Sequence, residues 1–159
     1  MITRILGDAV DAGLLLIALG STIRRTIASA WRAAPGDLLG RIVLACCGVP
    51  RGGSVLTVPG GGKAMLVADR RLGRYLDAVP LRPFAQTLGG YVLSREPIPP
   101  PIVRHELVHV RQWARLGPLF LPLYGASSAR ALLAGGDRYR DNAFERAARR
   151  AEVESGSVA

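Results

Sequence analysis

Two histidines and a glutamate in the second half of the chain stand at a spacing that suits metal chemistry. The segment reads His105-Glu106-Leu107-Val108-His109. On an α-helix, residues four apart lie on one face, so His105 and His109 project side by side and can bind one zinc ion. Glu106 is rotated by about 100° and can accept a proton from a water at the metal instead of serving as a ligand. The pattern therefore predicts a zinc site with Glu106 as its general base.

A catalytic zinc site needs a third protein ligand and keeps a fourth position open for water. The chain has only two histidines, so we expect a carboxylate as the third ligand. The downstream candidates are Asp137, Asp141, Glu145, Glu152 and Glu154. The two aspartates look like turn and cap residues, and the last two glutamates lie beside the chain end. Glu145 is the best candidate, because it lies early in a predicted helix whose small residues allow close packing. The helix dipole alone would also favour a carboxylate there.

The segment that carries the histidines has clear helix boundaries. Three prolines at positions 99–101 precede it, and proline is accepted in the first turn of a helix but not later. Gly117-Pro118 follows it and is a common helix terminator. The sequence therefore predicts a helix from about Pro101 to Leu116. Its apolar stripe, which can face the core, consists of Val103, Leu107, Val110 and Ala114.

Helical periodicity also marks both ends of the chain. Apolar residues recur every three to four positions over Ile2–Ala33, and a short helix is expected over Asp37–Leu44, capped by its first residue. Leu116–Ala129 contains two prolines and a glycine, and it is interpreted as a loop and helix start packed on the core. Helices are then expected at about Ser127–Ala134 and from Asp141 to about Val153.

The middle of the chain has the pattern of short strands. Glycines bracket two apolar runs at positions 54–58 and 64–68, which indicates a hairpin. The triple glycine at positions 60–62 precedes Lys63 but lacks the spacing of a phosphate-binding loop, so a turn is expected there. A further strand is predicted over Leu88–Ser94.

These elements predict an α+β fold in a single domain. The chain has 159 residues, of which 49% are hydrophobic, so it can bury a core but is too short for two domains of ordinary size. We expect one domain over residues 1–154, with a helical part (1–50), a small sheet (51–95) and the metal-site helices (96–154). Residues 155–159 are expected to form a disordered tail.

Charge and cysteine content indicate the partners and the compartment. The net charge is +9, but only Lys63 among the 21 basic residues is a lysine, and the arginines form no continuous run. A dispersed charge is typical of a solvated surface, so no specific nucleic-acid partner is expected. Cys46 and Cys47 are adjacent, and neighbouring cysteines rarely bridge. We expect buried, inert thiols and a reducing, cytoplasmic compartment.

Two apolar stretches are candidates for membrane segments. Ala12–Ile23 is shorter than the ~20 residues of a spanning helix, and Asp8 and Asp11 before it do not fit a secretory signal. Leu116–Ala129 is also short. Peripheral contact with a membrane surface through the second stretch stays an alternative.

The segments Arg104–Trp113, Leu116–Pro118 and Asn142–Ala148 together resemble the small bacterial zincin-like metallopeptidases of the gluzincin type. They look most like a group of short actinobacterial proteins that have an RHExxHxxQ helix and a later NxFExxA helix. The resemblance covers about Leu88–Glu152. It implies a minigluzincin-type fold, in which the HExxH helix lies beside a small sheet and a second ligand helix lies near the C-terminus.

The resemblance also implies roles for particular residues. His105, His109 and Glu145 would bind Zn²⁺, and Glu106 would be the base. The strand before the HExxH helix, here Leu88–Ser94, would form the sheet edge that holds the substrate. Such peptidases also need a donor for the oxyanion, and no spacing argument selects among Tyr124, Arg138 and Tyr139.

The sequence thus predicts a zinc metallopeptidase that acts on a peptide or protein substrate. The first alternative is a non-catalytic zinc-binding protein, which would have no use for Glu106 and would more often close its metal with a fourth ligand. The second is a membrane-surface or partner-binding module on the same scaffold, which the basic charge and the apolar Leu116–Ala129 segment favour.

Overall fold

A computed structural model of the chain describes residues 35–153, which contain both helices and strands. The predicted α+β class is confirmed. The helix predicted over Ile2–Ala33, Glu154 and the expected tail at 155–159 lie outside the described residues. In chain order the elements are α1 (residues 35–46), β1 (Ser54–Thr57), β2 (Lys63–Ala68), a 3₁₀ turn (Arg70–Leu72), α2 (Gly73–Ala78), β3 (Ala85–Leu88), β4 (Tyr91–Ser94), α3 (Pro100–Leu116), a second 3₁₀ turn (Gly117–Leu119), α4 (Phe120–Leu133) and α5 (Ala143–Val153).

The four strands form one sheet in the order β1-β2-β4-β3. The predicted hairpin is present, since β1 and β2 pair antiparallel with Thr57 opposite Lys63. β2 then pairs parallel with β4, and β4 pairs antiparallel with β3, with Val92 opposite Thr87. β3 is therefore an edge strand, and it is the strand that packs most closely against α3.

The single strand predicted over Leu88–Ser94 is wrong, because this segment contains a reverse turn. Gly89 and Gly90 join β3 to β4, and Gly89 has φ +62°, which glycine adopts without strain. The turn also lies directly against α1. A Cβ atom on Gly89 would lie 2.3 Å from the backbone nitrogen of Asp37. Only glycine fits at this contact. The turn made by the two glycines therefore separates β3 from β4.

Asp37 is not the N-cap that the sequence predicted. The chain is already helical at residue 35, and α1 continues to residue 46, two residues beyond the expected end. The Asp37 side chain instead accepts a hydrogen bond from the backbone N–H of Gly90, at 2.5 Å. The residue therefore anchors the β3–β4 turn to α1.

Trp113 connects α3 to the sheet at the centre of the core. Its side chain is 1% exposed, and its indole Nε1–H donates to the backbone oxygen of Thr87 on β3, at 3.3 Å. The Phe120 ring at the start of α4 packs beside it, with ring centroids 5.1 Å apart. The surrounding buried residues are Leu44, Val49, Val67, Leu72, Leu76, Leu88, Tyr91 and Leu93.

The two C-terminal helices begin at other residues than predicted. α3 runs over Pro100–Leu116 as expected and ends at Gly117, but α4 already begins at Phe120, seven residues before the predicted Ser127. Pro122 does not interrupt it, because the first turn of a helix has no intrahelical use for the missing N–H. α5 begins at Ala143 and not at Asp141, because Asn142 caps it.

The two cysteines are not both buried, so that prediction is wrong. Cys46 is exposed, Cys47 is partly exposed, and both are free thiols. The apolar run around them ends α1, and only Leu44 and Val49 in it are buried. Cys46 follows Leu44 by two residues and therefore faces away from the core. Within residues 35–153, each helix is too short or too polar to cross a membrane.

Candidate metal centre

Helix α3 presents its two histidines and Glu106 on a buried surface. His105, Glu106 and His109 are 5%, 6% and 7% exposed. His105 and His109 lie on the same face of α3, as predicted, because residues four apart stack along one face of a helix. The Nε2 atoms of His105 and His109 lie 3.1 Å apart. Both imidazoles therefore point their distal nitrogens at the same spot.

Helix α5 packs along α3 and brings Glu145 to that spot. The Glu145 carboxylate is 3% exposed, with Oε2 3.2 Å from His105 Nε2 and Oε1 3.3 Å from His109 Nε2. Ala148, one turn further along α5, is completely buried, which lets the two helices approach closely. The structure thus brings together the three residues predicted as ligands.

This buried group can hold a metal ion. Glu145 Oε2 has no hydrogen-bond partner among residues 35–153, although it is buried. A buried carboxylate oxygen without a partner is costly, and a cation between it and the histidines would remove that cost. The donor atoms, two imidazole nitrogens and a carboxylate, are those of transition-metal sites.

The charges of the group favour an ionised carboxylate. Burial alone would raise the pKa of Glu145, but its close contacts with His105 and His109 lower it well below its usual range. Burial likewise opposes protonation of His109, yet contacts with Glu145 and with the charge of Glu106 raise its pKa. Glu145 therefore carries its charge at neutral pH, as a metal ligand must.

Glu106 is held from the sheet and does not belong to the ligand group. The Thr87 hydroxyl on β3 donates to Glu106 Oε2 at 2.6 Å, and both side chains are buried. Sequence patterns did not predict this contact, because Thr87 lies in a strand that the prediction had placed elsewhere. The hydrogen bond orients the carboxylate of the predicted base beside the ligands.

Each ligand histidine also has a partner at its other ring nitrogen. His109 Nδ1 lies 2.7 Å from Gln112 Oε1. His105 Nδ1 lies 2.6 Å from Glu152 Oε1, although the approach is not aligned with the ring N–H. The sequence makes Glu152 a candidate only as a direct ligand, whereas the structure places it behind His105. Gln112 follows His109 by three residues, so helix spacing could have identified it.

Two of the three oxyanion donors left open by the sequence approach the ligand Glu145: burial and the nearness of Glu145 raise the pKa of Tyr139, and a hydrogen bond to Glu145 is made by Tyr124. Its hydroxyl donates to Glu145 Oε1 at 2.7 Å, and burial, together with the charge of Glu145, raises its pKa. Tyr139 is 38% exposed, with the Arg149 guanidinium 5.4 Å from its ring centroid. Arg138 is exposed. Tyr124 reaches the site because α4 begins earlier than predicted.

The polar residues before Glu145 build the start of α5. Asn142 is fully buried, and its Oδ1 accepts from the backbone N–H of Phe144 at 2.9 Å. Its amide donates to the Tyr124 backbone oxygen and to the Ser128 hydroxyl on α4, at 3.1 and 2.7 Å. Asn142 therefore caps α5 and ties it to α4, which sets where Glu145 projects.

Asp137 and Asp141 have the local roles that were predicted and lie outside the ligand group. Asp137 Oδ1 accepts from the backbone N–H groups of Tyr139 and Arg140, at 2.8 and 2.6 Å. Asp141 Oδ2 accepts from the N–H of Asp137 at 2.8 Å. Both carboxylates are used within one exposed turn, and Glu145 is the carboxylate that lies at the converging Nε2 atoms of the histidines.

Comparison of the chain with known proteins adds no family to this description. No family model matches the sequence, no curated protein matches it, and no solved structure matches the fold. The geometry of the site is therefore the basis on which its chemistry is argued.

Proposed function

We propose that the protein is a zinc-dependent metallopeptidase of the gluzincin type, in which His105, His109 and Glu145 bind zinc and Glu106 is the general base. The observation that carries this proposal is the buried His–His–Glu group with a second, separately oriented carboxylate beside it. The two carboxylates have different partners, which supports different roles for them.

Distances within the group support zinc as the metal. Zinc ligands at about 2.0–2.1 Å in tetrahedral arrangement lie roughly 3.3 Å from one another. The two Nε2 atoms lie 3.1 Å apart, and each is approached by a different oxygen of Glu145, at 3.2 and 3.3 Å. With one ligand atom taken from each residue, the three atoms lie within 4.8 Å of one another, so a small shift of the carboxylate would bring them to a single zinc ion. Two histidines with one glutamate are also a ligand set of catalytic zinc sites.

The number of ligands favours catalysis over a purely structural site. Among residues 35–153, three side chains form the metal group, and a structural zinc site would usually have four. A fourth position is then available for water or substrate. The buried Glu106 would have no purpose in a structural site, whereas a hydrolase needs a base next to the water that attacks.

The residues around the site have distinct tasks in peptide hydrolysis. Bound zinc would supply Lewis acidity, which polarises a carbonyl group and makes a water acidic near neutral pH. Glu106 would accept the proton of the attacking water and deliver it to the leaving amine. Thr87 holds the Glu106 carboxylate in place through its 2.6 Å hydrogen bond. The Tyr124 hydroxyl donates its one hydrogen to Glu145, and it would serve the developing oxyanion by turning from Glu145 toward the substrate.

A peptide substrate is supported by a sheet edge beside the site, where the strand has no further strand next to it among residues 35–153. The edge is β3, and not the predicted Leu88–Ser94 segment, whose β4 part lies inside the sheet. An extended peptide can add to an edge strand through backbone hydrogen bonds. The Thr87 backbone oxygen is already bonded to Trp113, so pairing would use the other backbone groups of β3.

Contact with a membrane surface is a second candidate because of exposed leucines on and around α4. Five leucines on and around this helix are exposed, namely Leu119, Leu121, Leu123, Leu132 and Leu133. Together with the net charge of +9, these side chains suit peripheral binding to an anionic surface. A salt titration of liposome co-sedimentation separates this candidate from an enzyme that acts away from membranes. The proposed compartment is the cytoplasm.

The proposal is tested by metal analysis combined with one isosteric substitution. Purified protein expressed with zinc should contain about one zinc per chain by plasma mass spectrometry. Glu106→Gln should retain that zinc but lower hydrolysis of a quenched fluorescent peptide library at least ~100-fold, because an amide is a poor base.

Glu96→Gln is the matched control, since it makes the same change at an exposed residue and should leave activity unaltered. A folded protein that contains no zinc would contradict the metal site. Near-full activity in Glu106→Gln would contradict the mechanism.

A further inference from the structure

Gln112 contacts the ligand His109 on α3 and the backbone of α5 just before the ligand Glu145, without being a ligand itself. It lies on α3 three residues after His109, and its Oε1 atom is 2.7 Å from His109 Nδ1. Its Nε2 atom is 3.2 Å from the backbone oxygen of Phe144, the residue before Glu145. One side chain therefore spans from the second histidine to the first turn of α5.

The chemistry of these two contacts determines which way the Gln112 amide points. The Phe144 oxygen is a carbonyl and can only accept, so the side-chain nitrogen of Gln112 must face it. The side-chain oxygen of Gln112 then faces His109 and can only accept as well. His109 Nδ1 must therefore carry the hydrogen, which leaves Nε2 with a free electron pair. That Nε2 atom is the one that lies 3.3 Å from Glu145 Oε1.

We propose that Gln112 is a positioning residue that couples the two ligand helices: its oxygen selects the metal-binding tautomer of His109, and its amide holds the start of α5 so that Glu145 meets the histidines. This inference rests on the proposed metal site. It assigns Gln112 two separable effects. The side-chain oxygen acts on the tautomer of His109, and the side-chain N–H acts on the start of α5.

Two substitutions of similar size separate these effects. Gln112→Glu keeps an oxygen acceptor for His109 but removes the donor to Phe144, whereas Gln112→Met removes both. In Gln112→Met, His109 loses its preference for the Nδ1–H tautomer, and zinc affinity should fall about 10- to 100-fold, as for outer partners of metal-bound histidines. In Gln112→Glu the tautomer is kept, and the loss of zinc affinity should be smaller.

Three measurements cover both effects. Competition with a chromophoric chelator gives the zinc affinity, and ¹⁵N NMR of the histidine rings reports which nitrogen of His109 carries the hydrogen. Hydrogen exchange of the α5 amides should accelerate in both variants, because both lose the bond to Phe144. Arg115→Met, an exposed change at the end of α3, is the control and should match the wild type in all three.

The outcomes distinguish this inference from the proposed function. If the wild type binds zinc and both Gln112 variants match its affinity, tautomer and α5 exchange, the role of Gln112 is wrong and the metal site stands. If the wild-type protein itself does not bind zinc, the metal site fails and Gln112 has nothing to position. Because Gln112→Glu is nearly isosteric, it keeps the test valid if Gln112→Met fails to fold.

Discussion

His105 has a glutamate at each of its two ring nitrogens, and the two carboxylates have different surroundings. Glu145 Oε2 lies 3.2 Å from Nε2 and is buried, whereas Glu152 Oε1 lies 2.6 Å from Nδ1 on a side chain that is 34% exposed. The Nε2 atoms of both histidines converge, so a metal ion would sit on the side of Glu145. Glu152 would then act through the histidine, as a negative charge behind the ligand.

Replacing these glutamates should therefore weaken zinc binding to different extents. Glu145→Ala removes a ligand and should lower zinc affinity by more than ~100-fold, while Glu152→Ala removes an outer partner and should lower it by about ten-fold. Chelator competition measures both, with the exposed Glu96→Ala as control. A larger loss in Glu152→Ala than in Glu145→Ala would contradict the assignment of the third ligand.

At the residue scale, the sequence identified the groups whose relation is local. The i, i+4 spacing of His105 and His109 has one geometric meaning on a helix, so the pair could be predicted. The contacts of Thr87, Tyr124 and Glu152 depend on how separate elements pack, which no spacing specifies. The place of Glu145 early in a helix makes it a candidate ligand, and packing between α3 and α5 brings it to the histidines.

The β3–β4 turn is the element that the sequence pattern concealed. Its two glycines lie inside an apolar run, and a run of that kind is also typical of one continuous strand. Glycine is needed in this turn because of a contact between elements distant in the sequence. α1 lies against the turn and leaves no room for a Cβ atom at Gly89. By contrast, α3 has proline and glycine at its ends, so its boundaries could be predicted within one residue.

Gly89→Ala should be far more destabilising than Gly48→Ala. Both glycines have positive φ, +62° and +65°, so both substitutions impose the same left-handed strain of about 1–2 kcal/mol. A Cβ atom on Gly48 would meet nothing within 4 Å, whereas one on Gly89 would lie 2.3 Å from the Asp37 backbone. Overpacking there should add about 1–3 kcal/mol to the loss in free energy of unfolding. Urea denaturation measures the difference, and equal losses would show that α1 does not confine the turn.

On the scale of the whole molecule, the proposed ligands come from two helices far apart in the chain. His105 and His109 lie on α3, and Glu145 lies on α5 near the end of the described residues. A metal ion that binds all three stabilises the native arrangement and has no comparable site in the unfolded chain. Binding should therefore stabilise the fold as well as supply chemistry.

Zinc should raise the melting temperature of the protein. At a free zinc concentration 100 times the dissociation constant, binding adds about 2.7 kcal/mol, which corresponds to roughly 5–10 °C for a chain of this size. Differential scanning fluorimetry with and without a chelator measures the shift. Glu106→Gln should show the same rise, because it keeps all three ligands, and Glu145→Ala should show little. An unchanged melting temperature in the wild type at saturating zinc would contradict a site that joins α3 and α5.

The position of Trp113 gives the protein an optical reporter at its centre. The indole is almost fully buried and hydrogen-bonded to Thr87, whose hydroxyl in turn holds Glu106. Emission from an indole in such surroundings is blue-shifted and moves to longer wavelength when water reaches the ring. The chain has a second tryptophan, Trp31, and a Trp31→Phe variant would leave Trp113 as the single emitter. Its fluorescence would then report, without any attached dye, when α3 separates from β3.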